Sequence, residues 1–142
     1  MNHTYLSYQI IDHTADLGII ITGKDEKNLF IHAAYAMTDI MVKGDITTKT
    51  VSKEVFIKGE DFPDLMVKWL GEILYFFNGE RLVLHSIEIT SISPIMLSST
   101  LILSGFDPKH HQVEREIKAV TYHQIFVDKV SDEWQARVIF DI

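Results

Sequence analysis

The sequence predicts an α+β domain in which two helices pack on a largely antiparallel β-sheet. Three observations carry that reading. Asn28 to Val42 and Leu65 to Phe77 place apolar residues at helical spacing. The other apolar runs are short, rich in β-branched residues and bounded by turn residues. Turns such as Ser93-Pro94 and Ser131-Asp132 leave only a few residues between runs, which suits hairpins rather than parallel crossovers.

Leu6 to Asp12 and Leu17 to Thr22 read as the first two strands, with a polar turn between them and Gly23 at the end. Asn28 to Val42 follows as a helix, with Asp25 and Glu26 where its dipole favours negative charge. Leu29, Ala33, Ala36, Met37, Ile40 and Met41 share one face, and the alanines imply close packing on a sheet. Gly44 is expected to close this element. Val51 to Lys58 is a strand marked by Val51, Val55 and Ile57, with Lys53 out of pattern. Asp61 and Pro63 open the second helix. Its stretch from Leu65 to Phe77 is apolar almost all round, with Lys68 and Glu72 as a narrow wet stripe, so it should be buried on more than one side. Asn78-Gly79 is expected to end it. Leu82 to Ser91 and Met96 to Leu103 form a further hairpin, and Gly105 to Gln112 reads as a polar loop. Glu116 to Val127 holds one or two strands, and Trp134 to Ile142 is the last, with Val138 and Phe140 on one face and Ile139 and Asp141 on the other.

At 142 residues the chain reads as a single domain, residues 1–142, able to bury a core without disulfides or structural zinc. It contains no cysteine, which excludes thiolate metal sites and cysteine nucleophiles and fits a reducing cytoplasm. Met1 to Tyr8 lacks the pattern of a secretory signal. The longest apolar stretch, Leu65 to Phe77, falls short of the about 20 residues a bilayer crossing takes. A soluble cytoplasmic protein with no membrane association is expected. The net charge of −7 repels phosphate backbones, so tight direct nucleic-acid binding is not expected; a basic protein partner or a cation fits better.

No Walker or dinucleotide loop, Gly-x-Ser-x-Gly elbow or His-Glu-x-x-His helix is present, and no catalytic residue is assigned. Three polar clusters remain. In Asp12-His13-Thr14-Ala15-Asp16 the side chains can simply satisfy turn amides, or a carboxylate at a strand end can ligate a hard cation. At the chain end, Asp141 stands one residue from the terminal carboxylate of Ile142. Two such anions are either solvated separately or share a cation, for which oxygen ligands suit calcium, magnesium or manganese. The third cluster is Glu116 to His123, with Glu116 and Lys118 on one face and Ile117, Ala119 and Thr121 on the other. The adjacent rings of His110 and His111 point apart, which is poor chelate geometry, and hydrogen-bonded structural histidines are the commoner case.

Taken together, His13-Thr14-Ala15-Asp16-Leu17-Gly18-Ile19, Glu116-Ile117-Lys118-Ala119-Val120-Thr121-Tyr122-His123 and the ending Arg137-Val138-Ile139-Phe140-Asp141-Ile142 resemble the archease family. The resemblance spans essentially the whole chain. It implies an α/β sandwich and an accessory role toward the GTP-dependent, RtcB-type RNA ligase of tRNA splicing and RNA repair: promoting guanylylation of the ligase and its multiple turnover, with only indirect association with tRNA. It also implies a divalent-cation site, often calcium, with manganese or magnesium as alternatives, at Asp16, Asp141 and the carboxylate of Ile142. Lys118, His13 and His123 match motif positions and are candidates for partner or phosphate contacts. Two alternatives stand beside this reading: a metal-dependent phosphoester hydrolase using the same carboxylates, and a chaperone of an RNA-modifying methyltransferase. His32, early in the first helix, and the stretch 79–98 depart from the family pattern or add nothing diagnostic to it.

Overall fold

A computed structural model describes residues 7–12, 16–44 and 49–142. They form strands β1 (Tyr8–Asp12) and β2 (Asp16–Gly23), helix α1 (Glu26–Met41), strands β3 (Val42–Gly44) and β4 (Thr50–Lys58), and helix α2 (Phe62–Glu80). Six strands follow: β5 (Leu82–Ser93), β6 (Met96–Gly105), β7 (His111–Val113), β8 (Ala119–Val120), β9 (Phe126–Val130) and β10 (Glu133–Asp141).

Every strand pairing among the described residues is antiparallel. The strands divide into two main sheets. In the first, β1, β2 and β10 lie side by side, and β9 and then β8 pair along the far edge of β10. The second has the order β4-β6-β5, and a small ladder joins β3 to β7. Helix α1 touches β2 and β10 on one side and β5 on the other; α2 touches β8 and β9, and also β4 and β5. The helices therefore form a layer between the sheets, and the apolar circumference of α2 has a partner on each side. Leu65, Trp69, Leu70 and Ile73 are buried, and the exposed stripe is held by an ion pair of 3.1 Å between Lys68 and Asp64. The Trp69 indole N–H donates to the Phe30 carbonyl at 2.9 Å, so its one polar atom is satisfied inside the core.

Both helices begin at an aspartate cap. Asp25 accepts from the Asn28 N–H and Asp61 from the Asp64 N–H, each satisfying a donor that the helix leaves free. The ends differ from the sequence reading. Helix α1 stops at Met41, before Gly44, because β-branched Val42 turns extended and starts β3. Gly44 instead ends β3 with φ 136, where a Cβ would collide with the His110 carbonyl. Helix α2 runs past Asn78-Gly79 to Glu80, and Arg81 takes the left-handed capping position, φ 55, that glycine usually fills. Its guanidinium lies 5.2 Å from the Phe77 ring centroid and 5.7 Å from that of Phe106, contacts that offset the strain.

The expected polar loop from Gly105 to Gln112 also resolves differently. Its end forms β7, and His111 is buried, stacked on Phe106, with Nδ1 accepting the Asp107 N–H at 3.0 Å. His32 has a structural role: its ring nitrogens bond the Thr22 carbonyl at 2.9 Å and the Asn28 amide at 3.2 Å, fastening α1 to the end of β2. No helix among the described residues is long and apolar enough to cross a membrane.

Candidate functional site

The site grows out of the register between β2 and β10. Leu17 pairs with Phe140, Ile19 with Val138 and Ile21 with Ala136, and all six are buried on the side facing the helices. Alternation then sends Asp16 and Gly18, with Ile139 and Asp141, to the opposite face. A Cβ at Gly18 would come within 2.8 Å of the Ile139 Cδ1, the movable end of the side chain that lies across it. At the end of this ladder Asp16 stands directly opposite Asp141. Directly opposed positions bring Cβ atoms to about 5 Å, where like charges destabilise the pairing. The Asp16 Oδ1 is buried with no hydrogen-bond partner among the described residues. A carboxylate oxygen in that condition lacks a donor or a cation.

Beyond Asp141 the partly buried Ile142 side chain packs against the core. The two opposed aspartate side chains offer carboxylate oxygens, the donors that hard divalent cations select. Among the described residues no three His, Asp or Glu side chains converge.

The segment from Ile117 to Thr121 runs along the other edge of β10. The Lys118 N–H donates to the Asp141 carbonyl at 2.7 Å, and Phe140 and Asp141 pair with Val120 and Ala119. Lys118 thus neighbours the aspartate pair through its backbone. Its side chain is exposed and lines an open groove of about 410 Å³ with Phe77, Asn78, Arg81, Val113 and Glu116. His123 is exposed, in the turn after β8; no hydrogen bond or ion pair among the described residues joins it to either aspartate. His13 lies outside the described residues. The structure thus brings Asp16, Asp141 and the Lys118 backbone together, and among the described residues His123 shares no hydrogen bond with them.

Sequence reasoning gave no role to several residues that shape this end of the molecule. Asn78, read as a helix terminator, donates from its side chain to the Ile117 carbonyl at 3.0 Å. Thr121 donates to the Ile139 carbonyl from both its N–H, at 3.0 Å, and its hydroxyl, at 2.8 Å. Tyr122 donates to Asp64 at 2.7 Å; that bond, then the Glu60 N–H and Lys68, hold the Asp64 carboxyl below the usual range. These partners are 39, 18 and 58 residues apart, and no local pattern signals such pairings.

Comparison with known proteins identifies the family. The model of the archease protein family matches residues 8–142, nearly the full chain and both sides of the aspartate pair. The chain belongs to the archease family. A Methanosarcina barkeri protein named archease is 32% identical over 139 residues, covering 95% of each chain. The solution structure of Methanobacterium thermoautotrophicum protein 1598 superposes with a TM-score of 0.73 at 27% identity, covering 95% of this chain and 98% of that one. The crystal structure of a Thermotoga maritima archease, described as a possible chaperone, gives a TM-score of 0.61 at 21% identity over 93% and 94% of the two chains, which bears on the fold alone.

Proposed function

We propose that this archease is an accessory protein rather than a free-standing enzyme, and that it stimulates an RtcB-type RNA ligase by presenting a divalent cation, most simply calcium, at Asp16, Asp141 and the Ile142 carboxylate. The observation that carries the reading is the direct opposition of Asp16 and Asp141 on one sheet face, with a buried Asp16 oxygen that has no hydrogen-bond partner among the described residues at that end of the ladder. Manganese or magnesium would satisfy the same donors.

The acidic surface supports a role at the mouth of a polyanion-binding active site. A net charge of −7 is attracted to a basic rim and orients the encounter. Asp16 and Asp141 would hold the cation at the tip of the β2–β10 ladder. Bound there, a divalent ion supplies positive charge for nucleotide phosphate oxygens during guanylylation of the ligase. Lys118, exposed and adjacent through its backbone bond to Asp141, is placed to contact a phosphate or an acidic ligase side chain. His13 and His123 remain candidates for partner contact. In this reading tRNA is met only through the ligase, in the cytoplasm, in tRNA splicing and RNA repair.

The test is a guanylylation and multiple-turnover assay of the ligase with GTP and manganese, with and without this protein. Stimulation by wild type, lost in Asp16→Ala and Asp141→Ala variants that still fold, is the expected result. Full stimulation by both variants would remove the cation site from the account. Hydrolysis of a small phosphoester by the protein alone would favour the hydrolase reading. Equal assistance to an RNA-modifying methyltransferase, independent of the aspartates, would favour a chaperone role; the Thermotoga maritima protein is described as a possible chaperone.

A further inference from the structure

We infer that Thr121 is a positioning residue: its hydroxyl fixes the end of β10 and so sets the placement of Asp141 opposite Asp16 and of Lys118 beside them. The inference rests on the cation-site reading for its functional meaning, but its geometry stands on its own.

Strand β8 is two residues long. A ladder that short cannot by itself hold the last residues of β10, since strands usually need three or more residues. The ladder of β9 ends at Arg137, so it gives Phe140 and Asp141 no support on that edge. β2 pairs with them on the other edge, and on this edge what holds them is a set of bonds around Thr121. Its N–H and its hydroxyl both donate to the Ile139 carbonyl, occupying both lone pairs of one oxygen. The same hydroxyl accepts the His123 N–H at 3.3 Å, which fixes the direction in which it donates. The Lys118 N–H completes the clamp on the Asp141 carbonyl. Asn78 anchors the other end of the segment from α2, through the carbonyl of fully buried Ile117. The segment 117–121 is thus pinned at both ends, and Lys118 and Asp141 move together or not at all.

The geometry separates Thr121 from a merely stabilising threonine. Thr121→Val keeps shape and removes the hydroxyl, whereas Thr121→Ser keeps the hydroxyl and removes a methyl. Two readouts on the full chain decide: calcium affinity by titration calorimetry, and backbone amide exchange measured without metal. Thr121→Val should weaken calcium binding about five- to tenfold, the scale of one lost hydrogen bond, with Thr121→Ser close to wild type. Exchange should quicken at Lys118 and Thr121 in the valine variant while the amides of β2 and both helices keep their protection. Asn78→Ala should quicken exchange at the same end of the molecule. Uniform loss of protection across the core, or a serine variant as impaired as the valine one, would make Thr121 a general stabiliser and overturn the inference. Unchanged exchange at Lys118 in Thr121→Val would overturn it too. If wild type binds no calcium, the cation reading fails, and the exchange data alone decide the positioning role.

Discussion

Asp16 and Asp141 face each other across a ladder that gains nothing from their charges and loses some stability to repulsion. Replacing either by asparagine should therefore raise metal-free stability, by up to about 0.5 kcal/mol because Asp141 is exposed and solvent screens the pair. Chemical denaturation in a chelator measures it; a loss of stability in both variants would mean that the carboxylates are structurally required. A second residue-scale prediction concerns Tyr8, whose hydroxyl donates to Asp39 at 2.5 Å. Burial, then the bond to Asp39, raises its pKa well above the ordinary value. The sign follows from linkage: the native state keeps this proton more tightly than the unfolded state, so the stabilisation is complete below about pH 10 and is lost as pH rises beyond it. Tyr8→Phe should lose stability at neutral pH and show a shallower decline above about pH 10, which denaturant titrations at about pH 7 to 11 can read. Gly44 offers the steric case. With φ 136 and the His110 carbonyl in the way of any Cβ, Gly44→Ala should destabilise the domain by about 2 kcal/mol or more.

The helices owe their starts to single residues, and Asp61→Ala should lower stability by about 1 kcal/mol, readable as a drop in melting temperature of several degrees. A variant as stable as wild type would show that Pro63 and the packing of α2 suffice without the cap. The elements also show where sequence reading works. Asp61, Pro63 and the apolar circumference of α2 predict both its start and its two-sided burial, because capping and amphipathicity are local properties. The end of α2 was not legible. Arg81 adopts a glycine conformation by leaning on Phe106, a residue from the end of another hairpin. The uneven spacing of Leu84, Ile87 and Ile89 in β5 comes from bulges near His85 and Thr90, which shift the inward face by one residue. Strands β3 and β7 escaped notice because three-residue ladders carry too little alternation to stand out. The site was legible only in part: Asp16 and Asp141 were named from the family resemblance, whereas their pairing depends on a register between strands more than a hundred residues apart in sequence. Thr121 and Asn78 act through such long-range bonds, and nothing in their neighbourhoods announces it.

At the scale of the molecule, the sandwich places its two helices where both sheets can cover them and leaves the outward face of the β2–β10 ladder free to end in charge. The core lies between the layers; the aspartate pair lies at the end of a strand whose other side is buried, so the fold holds two like charges at fixed separation without using them in its own packing. That is the arrangement on which the proposed cation site rests. The most direct test of this account is calcium titration of the purified chain by calorimetry, for wild type, Asp16→Asn and Asp141→Asn. The account predicts one calcium site per chain in wild type and at least about tenfold weaker binding in each variant, with the metal-free fold intact, because each change removes a charged oxygen ligand. Binding of the same affinity in wild type and both variants would contradict it.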